Sequence, residues 1–135
     1  MDSVSILIVD KGQDLLGVVA NASFVLGLTA GRSIGDETFG HEVVDGDGKR
    51  HKRLTSIGHY VRKAGPSKLR AIRDEFADHP DVEVVDYPEA AAPADYNAYE
   101  QALASQAGDQ ITYRAVHLYG PADVLVPKTK NLSKL

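Results

Sequence analysis

The chain has 135 residues, 43% of them hydrophobic and 25% charged, the make-up of one globular domain spanning residues 1–135 rather than of a disordered or fibrous chain. It contains no cysteine, which excludes a disulfide scaffold, a thiolate zinc site and a cysteine nucleophile, and agrees with a cytoplasmic setting. A formal charge of -4 argues against general nucleic-acid binding, because phosphate contacts need clustered cations.

Val4 to Val9 is rich in Ile and Val and ends in Asp10, Lys11 and Gly12, which reads as a central strand followed by a loop. Leu15 to Ala30 is the most apolar stretch. It is short for a membrane span of roughly 20 residues and has no basic start for a signal peptide, so it predicts a buried helix and no membrane partner. Leu15, Val18, Val19, Ala22, Val25, Leu26 and Leu28 cover most of its circumference, so burial is expected on two sides, one against the sheet and one against a homodimer partner. Gly31 is the expected C-cap. Val43 and Val44 lead into Asp45, Gly46, Asp47 and Gly48, a turn signal for a hairpin or reversed edge strand.

His59 to Lys63 predicts another strand, and Ser67 is the expected N-cap of a surface helix whose Leu69, Ile72 and Phe76 share one face. Val82 to Val85 predicts the next strand. Asp95 should cap a helix with Tyr96, Tyr99 and Leu103 on one side and Gly108 at its end, followed by a strand from Ile111 to Tyr119 and a short helix after Pro121. Strands alternating with helices, with one reversed segment, predict an α/β domain on a mixed sheet.

Three motifs have ordinary explanations. Gly31, Arg32, Ser33, Ile34 and Gly35 spell a nucleophile elbow, but they follow a helix instead of joining strand to helix. The pentad Lys49, Arg50, His51, Lys52 and Arg53 could grip phosphates, yet it lacks a stacking aromatic and adjoins acidic residues that can balance it. The five histidines show no paired metal-ligand spacing, and neither a metal nor another cofactor is expected. Asn21 is different, because an amide within an apolar helix must find hydrogen-bond partners. With Asp10 and Lys11 it could line the crevice beyond the strand ends, where open α/β sheets bind ligands.

Gly120, Pro121, Ala122, Asp123, Val124 and Leu125, with Thr129 and Leu132 following, resemble the closing segment of the type-II peptidyl-tRNA hydrolases. Val61, Arg62, Lys63 and Ala64, then Leu69, then Val82 to Asp86, resemble that family's strand, helix and strand ending in aspartate. Asp10, Lys11 and the helix bearing Asn21 and Ser23 occupy the place of its lysine-rich loop and its helix with a glutamine and a serine. A closer resemblance is to an uncharacterised bacterial family, a domain of unknown function (family 2000) placed beside those hydrolases. It is carried by Leu16 to Leu28 with Asn21 and Ala22, by Val44 to Gly48, and by Tyr96 to Tyr99.

The resemblance implies a three-layer α/β/α sandwich with a small mixed sheet, Asp86 and Lys11 as catalytic candidates, and Asp10, Asn21, Ser23, Lys63 and Asp123 as ligand-binding candidates. Departures accompany it. Leu15 and Gly17 stand where the hydrolases carry lysines, Phe24 stands at their histidine, and Asp86 is followed by Tyr87, Pro88, Glu89 and Ala90 without a threonine. Pro127 should interrupt the closing helix. The leading expectation is therefore a protein that binds a small or anionic ligand near Asp10, Lys11, Asn21 and Asp86 without the complete hydrolase site. An active peptidyl-tRNA hydrolase, with tRNA phosphates on Lys11 and the pentad, is the alternative, and a dimeric interaction module the third reading.

Overall fold

The computed structural model describes residues 2–12 and 14–135. β1 (Ser3–Asp10) is central in a five-stranded mixed sheet, paired in parallel with β4 (Gly58–Ala64) and antiparallel with β6 (Tyr113–Pro121). β5 (Glu83–Pro88) and β7 (Ser133–Lys134) form the two edges, giving the order β5-β6-β1-β4-β7. The short strands β2 (Val43–Val44) and β3 (Arg50–His51) make a separate hairpin.

Helices cover both faces, because the strands of the centre are apolar on both sides. Ile6 and Ile8 pack beneath α2 (Pro66–Phe76) and α4 (Ala122–Thr129), together with Leu69, Phe76, Leu118 and Leu125. Leu7 and Val9 pack beneath α1 (Leu15–Gly31), together with Val18, Ala22 and Leu26. α3 (Tyr96–Ala104) buries no residue of its own and sits beside the β5 edge, after a 3-10 turn at Glu89–Ala91.

Several boundaries differ from expectation. Gly31 is the last residue of α1, and Arg32, in right-handed helical backbone, closes it. The start of α2 is Gly65, not Ser67, since Pro66 takes the first helical position with its φ preset and no donor to lose. α3 ends at Ser105, whose amide and hydroxyl satisfy its last carbonyls, and Gly108 instead opens a separate 3-10 turn. Pro127 lies inside α4 without ending it, because Thr129 Oγ1 still donates to the Leu125 carbonyl and the Lys130 amide to that of Val126. The two late strands extend to Pro88 and Pro121. Among the described residues no helix is long and apolar enough to cross a membrane.

A bulge at the β5–β6 pair positions functional side chains. Tyr87 pairs with Ala115 but Pro88 with Tyr113, leaving Arg114 as the extra residue. Without it Tyr113 and Ala115 would share a face. With it Tyr113 joins the α2 side while Ala115 stays on the α1 side.

Candidate functional site

α1 divides into three faces. Val18, Ala22, Leu26 and Ala30 recur every fourth residue and are buried against the sheet. Asp14, Gly17, Asn21, Val25 and Thr29 flank that stripe and line a groove between α1, β5 and the start of α3. The third face is solvent-exposed, so the expected burial on a second side is not supplied within the chain.

The groove has two ends. Val25, Leu26, Val85, Pro88, Tyr96 and Tyr99 are the main walls of an apolar cavity of about 430 Å³, with Asp86 and Asp95 also on its lining. Asp95 caps α3 by accepting from the Ala98 amide at 3.1 Å, which fixes the turn that presents Tyr96 and Tyr99. Their rings meet edge-on, with centroids 5.7 Å apart. Burial, reinforced by the Asp86 charge, pushes the Tyr99 phenol up from its ordinary value, so it remains a neutral donor at physiological pH. The other end is a polar recess of about 190 Å³ holding Asp14, Asn21 and Arg114. Tyr87 lines both, so the cavity and the recess are neighbours along α1.

Arg114 reaches this recess because of the bulge. One guanidinium nitrogen pairs with Glu89 at 3.3 Å, while its buried Nε has no partner among the described residues. An unmet buried donor costs about 1–3 kcal/mol.

The sequence-predicted residues do not form one crevice. Asp10 is buried at the end of β1, on the same face as Ile6 and Ile8, and accepts from the Gly12 amide at 2.9 Å. Asp86 also faces α2, where Arg73 Nε donates to it at 3.1 Å. Lys11 lies toward Gly65 at the start of α2, and Lys63, paired with Val9, faces the α1 side. Asn21 is exposed and lines the recess that Arg114 also lines, on the opposite face of the sheet from the Asp10 carboxylate. Ser23 turns outward and donates to the Val19 carbonyl. Asp123 follows β6 at the end where Pro121 pairs with Ser3, a strand length of roughly 23 Å from Asp10.

Two clusters escape the sequence reading. Arg70 and Arg73 both stack on the Tyr113 ring, each 5.2 Å from its centroid, and Arg73 carries Asp86 at the edge of this stack. On the other face Ser5 Oγ hydrogen-bonds His117 Nε2, and the buried His117 Nδ1 has no partner among the described residues. Desolvation by burial pushes His117 below its ordinary value. The basic pentad sits on the hairpin, with Arg50, His51 and Arg53 paired to Glu42, Asp45 and Asp36 at 3.9, 2.7 and 2.6 Å, so its charge is largely balanced locally. No group of three or more potential metal ligands stands together among the described residues.

No curated protein matches the chain. A solved structure of a protein of unknown function, Atu0240 from Agrobacterium tumefaciens strain C58, superposes with a TM-score of 0.82 over 100% of this chain and 98% of that one, at 15% identity. That likeness shows a shared mixed α/β fold. Residues 5–135 match the family described as "Protein of unknown function (DUF2000)", and the chain belongs to that family.

Proposed function

We propose that this protein binds a small amphipathic molecule in the groove along α1, on a three-layer α/β/α scaffold of the type-II peptidyl-tRNA hydrolase kind. The observation that carries the reading is a 430 Å³ apolar cavity beside a polar recess along α1, with Tyr87 on the lining of both. Cavities of roughly 300–1,000 Å³ with a few convergent polar groups are the usual form of small-molecule sites. The tyrosine end takes an aromatic or branched aliphatic body. The recess asks for a head that is both acceptor and donor: an acceptor for the Arg114 guanidinium and the Asn21 amide, a donor for the Asp14 carboxylate, as in an amino acid zwitterion.

A bare anion fits less well, because Asp14 and Glu89 offset the one guanidinium. Peptidyl-tRNA hydrolysis would need Asp86 free to orient water beside a cation. Asp86 is instead engaged by Arg73, and Lys11 follows β1, two strands away from β5.

Calorimetric titration with L-tryptophan, indole-3-propionate and tryptamine tests the reading. L-Tryptophan should bind tightest of the three. Tyr99→Ala should weaken all three by about tenfold, equivalent to ~1.4 kcal/mol. Arg114→Gln should weaken only the two carboxylates. Failure of all three probes to bind, or binding indifferent to Tyr99→Ala, overturns the proposal.

A further inference from the structure

The outer face of α1 is the remaining anomaly. Leu16, Phe24 and Leu28 are 82%, 70% and 66% exposed, and none of the 17 residues of α1 is charged. A helix apolar all round belongs in an interior. Contiguous apolar surface on the order of a few hundred Å² marks an interaction site, whereas scattered single residues do not.

The hydroxyl on this face is satisfied within the helix. Ser23 Oγ donates to Val19 and Ala20, so its hydroxyl loses no bond when water is removed. Ala20, Gly27 and Gly31 lie beside Phe24 on the stripe, and small residues let a second helix approach closely.

The charges at the two ends identify the occupant. Asp14, before the first turn, and Arg32, after the last, are exposed, and neither forms an ion pair among the described residues. They stand about five turns, roughly 27 Å, apart and on the same flank of the helix. In an antiparallel pair related by a two-fold axis, Asp14 of each copy comes beside the partner's Arg32. The uncharged stripe then lies between two equivalent ion pairs, and the helix dipoles run in opposite directions. An isologous contact requires such self-complementarity.

We propose that the outer face of α1 is the interface with a second copy of this chain, the two α1 helices packing antiparallel about a two-fold axis near Phe24. Leu16, Phe24 and Leu28 lie off the groove, whereas Asp14 borders it, so the Phe24 variants separate this interface from the proposed ligand.

Sedimentation velocity on the whole protein should show a species of twice the 14.5 kDa chain mass. Phe24→Glu should give a folded monomer, its fold checked by circular dichroism. Arg32→Asp should weaken the dimer about tenfold, and Asp14→Arg added to it should restore most of the loss. The absence of native cysteine permits a second test. Phe24→Cys should cross-link on mild oxidation at least about ten times faster than Lys68→Cys, on the exposed side of α2. A wild type that stays monomeric, a Phe24→Glu variant that still dimerises, or equal cross-linking at the two sites overturns the proposal.

Discussion

Leu26 and Leu28 are the same residue type, two positions apart on one helix, at 1% and 66% exposure. Truncating each to alanine therefore tests how α1 is oriented on the sheet. Leu26→Ala removes about three carbons from the core, worth roughly 2.4 kcal/mol at ~0.8 kcal/mol per buried carbon. The additional cavity term is small because Leu26 borders the groove, which can admit water into the space left behind. The expected cost is about 2.5 kcal/mol, or close to 8 °C in Tm for a chain of this size. Leu28→Ala should cost under about 0.5 kcal/mol, since its side chain gives up little contact on truncation. Leu118→Ala, enclosed at 0% exposure in the opposite core, should cost nearer 4 kcal/mol because its cavity stays sealed. Urea titrations followed by circular dichroism, run at dilute protein so that association through α1 does not contribute, measure all three. Equal losses at Leu26 and Leu28 would refute the assigned faces.

His117 is lowered from 6.5 by burial, so the unfolded chain takes up a proton that the folded chain resists. Stability should be full above pH 6.5 and fall as pH drops through that value, and His117→Asn should flatten this step in a Tm series from pH 7.5 to 5.5. Asp36 and Asp45, held below 3.8 chiefly by hydrogen bonds from Arg53 and His51, titrate outside the window. Gly120→Ala should cost about 1–3 kcal/mol in the same urea assay, because an added Cβ would lie 2.8 Å from the Asp81 carbonyl oxygen and 3.2 Å from Val82. Asp95→Ala removes a cap worth about 1 kcal/mol. Since α3 buries no residue, that loss should show as faster amide exchange in α3 and weaker probe binding, with the global urea midpoint nearly unchanged.

The alternation of apolar segments with turn signals made most of the sheet and the four main helices legible in the sequence, because a central strand such as Val4 to Val9 and a one-sided helix such as that of Leu69, Ile72 and Phe76 follow simple periodicities. The site was harder to read. Asn21 stood out because an amide interrupts an apolar helix, and it does line the groove. Arg114, on the same recess, did not, since a bulge rather than the two-residue alternation decides which way that side chain points. Tyr96 and Tyr99 were visible as one helix face, but their place in a cavity depends on the docking of α3 beside β5, a long-range contact that local pattern does not encode. The grouping of Asp10 with Asn21 failed for a related reason: the crevice rule locates the ends of strands without distinguishing the two faces of the sheet.

Chemical-shift mapping of uniformly ¹⁵N-labelled protein with L-tryptophan tests the groove most directly. The account predicts saturable shifts centred on the Asn21 side-chain amide, Val25, Tyr87, Tyr99 and Arg114. Shifts centred instead on Asp10, Lys11 and the start of α2, or none at all, would contradict it.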